Sequence, residues 1–348
     1  MYKSFDNIAI QSIESHYPDE YLTSSKIEEL LTPIYSRLKL PEGRLELMTA
    51  IKSRGLWPKG TRPSELASIA AKKALETSNT KKEDIDLVIH SSVCRDFLEP
   101  ATASVVHQKL NLKNECMSFD LSNACLGMLS AIWVAADMIE SGTIKKALIV
   151  SAENSGPLLE DTIKELNENQ SITRKNIKKF IANLTIGSAA SAIVLSHKDI
   201  DSEKNIFEIT HGSSKTDSEA SSLCQGHGSI HGLVMETDSE ALLKAGLKLA
   251  KENWIQFATQ SNQEQSDYQV ALGHQVGKAH EELIMSSLGF HKHKTHITYP
   301  TMGNTGSAAL PITLQEALEN NTINKNDNVI LLGIGSGLTS IFLGAKRI

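Results

Sequence analysis

The order of apolar strands and helices in this sequence runs twice through the chain. Short apolar runs such as Lys146–Glu153 alternate with helical segments in the first half, and runs such as Tyr268–Leu272 do so in the second. Two stretches also echo each other, because Glu140-Ser-Gly-Thr-Ile144 and Glu319-Asn-Asn-Thr-Ile323 each precede an apolar strand. Similarity of this kind at matching positions indicates an internal duplication.

Alternating strands and helices with apolar strand runs are typical of mostly parallel sheets that are covered by helices. We therefore predict an α/β fold made of two similar βαβ halves, residues 1–200 and 201–348, packed around a pseudo-twofold axis. Residues 156–185 are charged, and we expect a helical excursion over the surface there. Residues 32–62 contain several prolines and are expected to be irregular, whereas His296–Pro300 is expected to form a strand.

Composition limits the kinds of partner that this chain can have. The 348 residues carry a net charge of −6, which argues against nucleic acid as a partner but leaves room for a local basic patch that holds a phosphorylated ligand. The longest apolar window, residues 126–139, is too short to span a membrane, and no signal-peptide pattern opens the sequence. The four cysteines lack zinc-like spacing, so we expect no metal and a reducing cytoplasm.

One stretch, Asp120-Leu-Ser-Asn-Ala-Cys125-Leu-Gly127, joins a short apolar run to a long apolar helical segment. Ser122 and Asn123 are preferred helix N-caps, which would place Cys125 in the first helical turn. The positive end of a helix favours the thiolate, so Cys125 is a candidate nucleophile. A small buried core cysteine is the alternative interpretation.

Two further polar residues follow predicted strand ends. His274 lies in Gly273-His-Gln-Val-Gly277, directly after the strand that ends at Leu272, and Asn304 lies in Met302-Gly-Asn-Thr-Gly306. Taken alone, His274 could be a structural turn residue and Asn304 a helix N-cap. A cysteine, a histidine and an asparagine at neighbouring strand ends also suit acyl transfer, in which the thiolate attacks a thioester while the other two donate hydrogen bonds to the oxyanion.

These motifs, together with Gly335-Ser-Gly-Leu-Thr339, resemble those of the thiolase-fold condensing enzymes, and in particular the β-ketoacyl-acyl-carrier-protein synthase III group. The similarity extends over essentially the whole chain. It implies a five-layered αβαβα fold, a homodimer and a triad that corresponds here to Cys125, His274 and Asn304. The backbone N–H groups of Cys125 and Gly337 are the implied oxyanion hole.

Glu99 makes the chain similar to one branch of this group, the OleA-type long-chain acyl-CoA condensing enzymes of bacterial olefin and ketone synthesis. It lies 26 residues before Cys125, in a segment that leads from a predicted strand to Pro100. The resemblance implies that Glu99 enters the neighbouring subunit's site and acts there as a base. A plain acyl-CoA donor needs such a base because it must lose an α-proton. A solvated carboxylate, or a salt bridge to Arg95, is the alternative.

The resemblance implies an acyltransferase that condenses two fatty acyl-CoA thioesters head to head without decarboxylation. An acyl-Cys125 intermediate would yield a β-ketoacyl product or a β-keto acid. Two alternatives stay open: a decarboxylative synthase that uses malonyl-acyl-carrier protein, and an acyltransferase or thioesterase that forms no carbon–carbon bond. The expected partners are acyl-CoA, a second copy of the chain, and an acyl carrier protein or an enzyme that processes β-keto acids; no cofactor is expected. His227 and His231, in a glycine-rich loop, are expected to be structural.

Overall fold

The computed structural model describes residues 1–229 and 232–348. Its strands are β1 (Tyr2–His16), β2 (Glu20–Thr23), β3 (Ser53–Leu56), β4 (Leu87–His90), β5 (Met117–Asp120), β6 (Lys146–Glu153), β7 (Ala189–His197), β8 (Phe207–Thr216), β9 (Cys224–Ser229), β10 (Gly232–Thr237), β11 (Val270–Gly273), β12 (Asn328–Gly335) and β13 (Thr339–Arg347). Its α-helices are α1 (Ser24–Leu30), α2 (Thr32–Leu38), α3 (Arg44–Thr49), α4 (Pro63–Thr77), α5 (Thr102–Leu110), α6 (Gly127–Glu140), α7 (Gly156–Glu168), α8 (Ser239–Ser261), α9 (Lys278–Leu288), α10 (Tyr299–Met302) and α11 (Ala309–Glu319).

The main sheet repeats one strand order in its two halves. Its described strands run β11-β12-β13-β8-β1-β7-β6-β4-β5. In the second half, the strands from the outer edge inward are β11, β12, β13 and β8. In the first half, the edge strand β5 comes first, and the matching strands β4, β6, β7 and β1 follow it inward. The first strands of the two halves, β1 and β8, pair antiparallel and join them. The duplicated order agrees with the predicted fold class, whereas the domain boundary between residues 200 and 201 stays a prediction.

The side chains of each strand alternate between a central and an outer helical layer, as the pleat of a strand requires. Ile149 and Leu331 face the central layer, which contains α6 and α11. Leu148 packs outward with α4 and α5, and Ile330 packs outward with α8 and α9. The two halves of the main sheet lie on either side of the central helices, so the order is helix, half-sheet, helix, half-sheet, helix, which confirms the predicted five-layered α/β fold.

Helix α6 fills the centre of these layers and is buried on most of its surface. Trp133 on this helix packs against β8 at Gly212, where an added Cβ atom would lie 2.6 Å from the indole ring. A glycine is therefore needed for the helix to approach the sheet so closely. No helix in the described parts of the chain has the length and apolarity that crossing a bilayer requires.

The prediction that residues 32–62 are irregular was partly wrong. In residues 156–185 the predicted helical structure forms, but it also contributes to a buried cluster and does not only cover the surface. The first segment forms α2, α3 and β3. It packs with α7 and the 3₁₀ helix Asn176–Leu184 around an apolar cluster of its own, which includes Ile34, Leu166 and Phe180. Each of these elements is short and contributes few apolar residues, so neither segment carries a clear periodic pattern by itself.

The strand expected at His296–Pro300 does not form. The backbone N–H groups of Thr298 and Tyr299 are bound by the Gln275 side-chain oxygen at 2.8 and 3.4 Å, and the helical turn α10 begins at Tyr299. These donors are thus unavailable to a sheet, and the pairing next to β11 is a single bridge between Val270 and Lys294. His227 lies in the β9–β10 hairpin, and His231 lies outside the described residues.

The central position of α6 predicts a large difference between two isoleucines. Replacing Ile132, which is buried in the central layer, by alanine should lower the free energy of unfolding by about 2–5 kcal/mol, because it leaves a cavity between two sheets. The same change at Ile255, which is 65% exposed on α8, should cost less than about 0.5 kcal/mol. Urea unfolding of both variants measures this, and equal shifts of the two midpoints would contradict the layer assignment.

Candidate active site

Cys125 lies in a 3₁₀ turn, Ala124–Leu126, between β5 and α6. Ala124 has a left-handed backbone conformation with φ 45°, which is uncommon for a residue with a side chain and marks a sharp turn. The sequence prediction placed Cys125 inside the helix behind an Asn123 cap. The Asn123 side chain instead donates to the Ser130 hydroxyl at 2.8 Å, so the cap prediction was wrong.

The second half of the chain packs directly against this turn. The hydroxyl of Ser307 accepts a hydrogen bond from the Met128 backbone N–H at 2.8 Å. A Cβ atom at Gly127 would lie 2.4 Å from the Ser91 hydroxyl and 2.8 Å from the Ser307 hydroxyl. Only glycine therefore permits the contact between α6, the end of β4 and the segment that contains Asn304.

Asn304 is held by its backbone and directed by its side chain. Its backbone N–H donates to Thr185 at 2.9 Å, and its backbone carbonyl accepts from Gly187 at 2.9 Å. The side-chain oxygen accepts from the Gly306 N–H at 3.0 Å, and the side chain also acts on the Cys125 thiol, whose pKa it lowers. Of its two polar groups, only the amide N–H₂ can donate to the sulfur.

His274 directly follows β11, and its backbone N–H donates to the Leu332 carbonyl at 3.1 Å. The side chain is buried, yet neither ring nitrogen has a hydrogen-bond partner among the described residues. A structural turn histidine would normally satisfy a buried ring nitrogen. Burial and the charge of His280 lower the pKa of His274 to about 3, so its imidazole is neutral at physiological pH and can accept a proton.

The environment of Cys125 favours the thiol rather than the thiolate. Burial is the largest cause, followed by the negative charges of Glu153 and Cys224, and together they raise the pKa of Cys125 to about 12. The Asn304 side chain acts in the opposite direction and lowers this pKa. The expectation of a thiolate stabilised by the helix was therefore wrong, since desolvation outweighs the helix end. A Cys125 that acts as a nucleophile must therefore lose its proton during attack.

The turn between β12 and β13 approaches Cys125 through glycines. A Cβ atom at Gly335 would lie 3.0 Å from the Leu126 side chain and 3.6 Å from the Leu126 backbone nitrogen. Gly337, with φ 134°, has a backbone conformation that favours glycine. The close backbone approach agrees with the interpretation from sequence, and the oxyanion role of Gly337 and Cys125 stays a prediction.

Glu99 is not gathered with the other predicted residues. It lies on the segment between β4 and α5, and its side chain is exposed at the surface, next to Leu98, which is 95% exposed. No ion pair with Arg95 is present in the described ranges. The single chain thus brings together Cys125 and Asn304, places His274 in a buried pocket, and leaves Glu99 on the outside.

Two residues near Cys125 were missed by the sequence analysis. Glu153 is the buried last residue of β6, and Cys224 begins β9; the charges of both act on the Cys125 thiol. A signal for Glu153 was present, because a predicted apolar strand ended in a carboxylate at the edge of the sheet where ligands bind. Cys224 belongs to a hairpin that the sequence analysis assigned to a loop.

Comparison with known proteins agrees with this architecture. Residues 46–210 match the thiolase N-terminal domain, and residues 258–343 match the C-terminal domain of 3-oxoacyl-[acyl-carrier-protein] synthase III. The acyl-CoA:acyl-CoA alkyltransferase of Shewanella oneidensis is 33% identical over 98% of this chain and 99% of that protein. The chain belongs to the acyl-CoA:acyl-CoA alkyltransferase family. It is an enzyme of the acyltransferase kind, and the predicted resemblance is confirmed.

Other relatives place the chain within the wider fold. A crystal structure of Xanthomonas campestris OleA with bound lauric acid and lauroyl-CoA superimposes with a TM-score of 0.92 at 32% identity, covering 98% of this chain and 99% of that one. The β-ketoacyl-[acyl-carrier-protein] synthase III of Clostridium perfringens is 28% identical over 79% of this chain and 82% of that protein. Relatives of both kinds therefore share the fold, and the alkyltransferases are the more similar in sequence.

The raised thiol pKa predicts how Cys125 reacts with iodoacetamide. Its alkylation rate should rise about tenfold per pH unit between pH 7 and 9 without a plateau, because the thiolate fraction is still small in that range. Asn304→Ala should slow the reaction about tenfold, since it removes a hydrogen bond that favours the thiolate. Asn320→Ala, away from the site, should not. Peptide mass spectrometry gives the rates, and a plateau below pH 8 would contradict the raised pKa.

Proposed function

We propose that this enzyme joins two fatty acyl-CoA molecules head to head by a Claisen condensation without decarboxylation. The observation that carries this proposal is a half-buried thiol, Cys125, whose pKa the Asn304 side chain lowers, in a site whose histidine is neutral and has no partner among the described residues. The His274 ring can therefore bind a thioester without first breaking an internal hydrogen bond. The similarity to acyl-CoA:acyl-CoA alkyltransferases supports acyl-CoA as the substrate of both half-reactions.

In the first half-reaction the Cys125 sulfur attacks the thioester carbonyl carbon. His274 accepts the thiol proton, and the backbone N–H groups of Cys125 and Gly337 stabilise the oxyanion. The bond between the acyl carbon and the CoA sulfur then breaks. CoA leaves as a thiol after taking the proton from His274, which restores the neutral imidazole and leaves acyl-Cys125.

In the second half-reaction a second acyl-CoA loses its α-proton to the carboxylate of the partner subunit's Glu99. His274 and Asn304 donate hydrogen bonds to the oxygen of the resulting enolate. The α-carbon attacks the carbonyl carbon of acyl-Cys125, a carbon–carbon bond forms and the carbon–sulfur bond to the enzyme breaks. The Cys125 thiolate takes up the proton that the partner subunit's Glu99 removed, which restores both groups. The product is a β-ketoacyl-CoA, and water cleaves its thioester bond to give a β-keto acid and free CoA.

A homodimer is part of this proposal because Glu99 cannot serve a site from the outside of an isolated chain. Next to it, Val93, Phe97 and Leu98 are exposed apolar residues. Strand β5 lies at the edge of the sheet, and its Met117 is also exposed. An unpaired edge strand beside exposed apolar side chains is a surface that a second copy of the chain can cover.

Several basic side chains line one cavity and form a basic rim that suits the phosphates of CoA. A cavity of about 180 Å³ lies between α2, α3 and the 3₁₀ helix Asn176–Leu184, and Lys39, Arg44 and Lys178 contribute to its lining. Its remaining lining includes the apolar side chains of Leu31, Leu40, Met48, Ile177, Ile181 and Leu184. Arg174 also lines the cavity, and four cations at one apolar opening of an acidic protein favour a ligand that is both anionic and apolar.

The reaction is proposed to occur in the cytoplasm, where a nucleophilic thiol stays reduced. All four cysteines are free. The β-keto acid or β-ketoacyl product is chemically reactive, so the proposal includes a downstream enzyme that processes it. Carbon–carbon bond formation by purified enzyme supplied with long-chain acyl-CoA alone distinguishes this reaction from its alternatives. A requirement for malonyl thioester would indicate decarboxylative condensation, and release of free fatty acid alone would indicate a thioesterase.

Subunit complementation tests the role of Glu99. Glu99→Ala and Cys125→Ala homodimers should each lose condensation by at least about 10²-fold, because one lacks the base and the other the nucleophile. Mixed dimers, purified through two different tags, should regain about half of the wild-type rate, because one site then combines Cys125 with the partner's Glu99. Acylation of Cys125 by acyl-CoA should persist in the Glu99→Ala homodimer.

Three results would contradict this arrangement. An inactive mixed dimer would place Glu99 in the site of its own chain, and an active Glu99→Ala homodimer would remove it from the reaction. Failure of the two tags to copurify would argue against the dimer. Glu203→Ala, which changes an exposed glutamate on a distant loop, is the matched control and should leave the rates unchanged.

The basic rim predicts a split between KM and kcat. Replacing Arg44 and Lys178 together by alanine should raise KM for acyl-CoA about three- to tenfold and leave kcat within about twofold, since the cations contact phosphates that are remote from the reaction. The same variant should not change KM for an acyl-pantetheine, which lacks the phosphates. Lys325→Ala is the control for loss of a surface charge, and equal effects on both substrates would place the phosphates elsewhere.

A further inference from the structure

Glu153 is a buried carboxyl group without a cationic partner. It is the last residue of β6 and is only 5% exposed. No lysine, arginine or histidine lies within ion-pair distance of it in the described ranges. Burial accordingly raises its pKa, against the effect of the hydrogen bonds that it accepts. A buried carboxyl group without a cationic partner lowers the stability of the fold unless its oxygens accept hydrogen bonds.

The two oxygens of Glu153 bind backbone groups of two separate segments. Oε1 accepts from the Val93 N–H at 3.0 Å and from the Ser307 N–H at 3.1 Å, and Oε2 accepts from the Cys94 N–H at 3.2 Å. Val93 and Cys94 begin the surface segment that carries Glu99. Ser307 lies three residues after Asn304, so one side chain connects the two segments.

The approach of the Asn304 segment to Glu153 leaves no room for a side chain. A Cβ atom at Gly306 would lie 2.8 Å from Oε1, and Gly306 has a left-handed backbone with φ 55°. The residue that follows Asn304 by two positions is therefore placed by the carboxyl group as well as by the Asn304 side chain. A displacement of Glu153 would therefore also move the backbone N–H groups of Gly306 and Ser307.

A second carboxylate anchors the other end of the Glu99 segment. Asp120 accepts from the backbone N–H groups of Thr102 and Ala103, at 2.9 and 2.7 Å, at the start of α5. Asp120 also ends β5, five residues before Cys125. The exposed part of the segment, which includes Glu99, thus lies between two fixed ends. The end at Val93 is held by Glu153, which also binds the turn after Asn304.

We infer that Glu153 is a positioning residue that fixes the Glu99 segment and the Asn304 turn relative to one another. One subunit supplies Glu99 to its partner and keeps Asn304 in its own site. Glu153 then anchors the segments of both residues. The part of this inference that concerns Glu99 rests on the proposed function. The part that concerns the Asn304 turn and the Cys125 thiol does not.

The test compares Glu153→Gln with Glu140→Gln. A glutamine amide has one acceptor oxygen, and its N–H₂ group cannot accept from the backbone N–H groups, so one of the two segments loses its anchor. Glu140 is the matched control, because its Oε1 also accepts two backbone N–H groups, those of Asp6 and Asn7, at 2.8 and 2.7 Å. It lies at the end of α6 remote from Cys125.

Three rates are measured for each variant. In Glu153→Gln the condensation rate per acylated enzyme should fall about 10²-fold, as expected for a misplaced reactive group. Alkylation of Cys125 at pH 9 combines two opposing changes in Glu153→Gln, because loss of a negative charge near the sulfur makes it faster and displacement of Asn304 makes it slower. Acylation by acyl-CoA should also slow. Cys116, buried in the core, should alkylate at the wild-type rate if the variant is folded.

Glu153→Asp separates charge from geometry. It keeps the carboxylate but shortens the side chain by one methylene, so condensation should fall and alkylation of Cys125 should slow toward the rate of Asn304→Ala. A Glu153→Gln variant with all three rates within twofold of wild type would overturn the inference. The inference would also be overturned if Cys116 in Glu153→Gln became reactive in proportion to the lost activity while Glu153→Asp behaved like wild type. Those two results together would indicate only a role in folding.

Mixed dimers distinguish failure of this inference from failure of the proposed function. Glu153→Gln is placed on the Cys125→Ala chain, which supplies only Glu99, and is paired with the Glu99→Ala chain. Reduced condensation then supports anchoring of the Glu99 segment, and an unchanged rate overturns it. If Glu99→Ala proves active by itself, the proposed base is wrong, while the alkylation and acylation rates still decide whether Glu153 places the Asn304 turn.

Discussion

The site depends on how closely the second half of the chain packs against the turn that holds Cys125. The Ser307 hydroxyl binds the Met128 N–H at 2.8 Å, and a Cβ atom at Gly127 would prevent this contact. Interiors are close-packed, so such a junction has little freedom to adjust. Asn304 lies three residues before Ser307, and its distance from the sulfur is therefore set by the same contact that joins the two halves.

Burial at this junction explains the protonation states of both reacting groups. It raises the pKa of Cys125 to about 12 and lowers the pKa of His274 to about 3, because a low-dielectric pocket disfavours a charge of either sign. The resting site accordingly contains a thiol and a neutral imidazole rather than an ion pair. A resting site of this kind needs little reorganisation to accept an apolar acyl chain, and the charge that develops on the substrate oxygen meets hydrogen-bond donors instead of water.

The sequence was sufficient for the features that repeat or that follow strand ends. The duplicated strand order, the five layers and the placement of Cys125 and His274 after strands followed from apolar patterns and from family motifs, whereas Asn304 follows the helical turn α10 instead of the predicted strand. The thiol pKa was predicted in the wrong direction because it depends on burial, which spacing does not report. Glu153 was overlooked because an acidic residue at the end of a strand is also an ordinary solvated terminus, and only the hydrogen bonds it accepts distinguish the two.

In the proposed reaction, the duplicated fold divides the work in a way that one chain cannot complete. The first half contributes the Cys125 nucleophile and the Glu99 segment, and the second half contributes His274 and Asn304. Glu99 is exposed on the surface beside the unpaired edge strand β5, so its use as a base requires a second chain at that edge. A buried carboxyl group, Glu153, binds both the beginning of this segment and the turn after Asn304. In the proposed dimer, the same side chain constrains the geometry within one subunit and the geometry across the interface, which accounts for a residue that costs stability at this position.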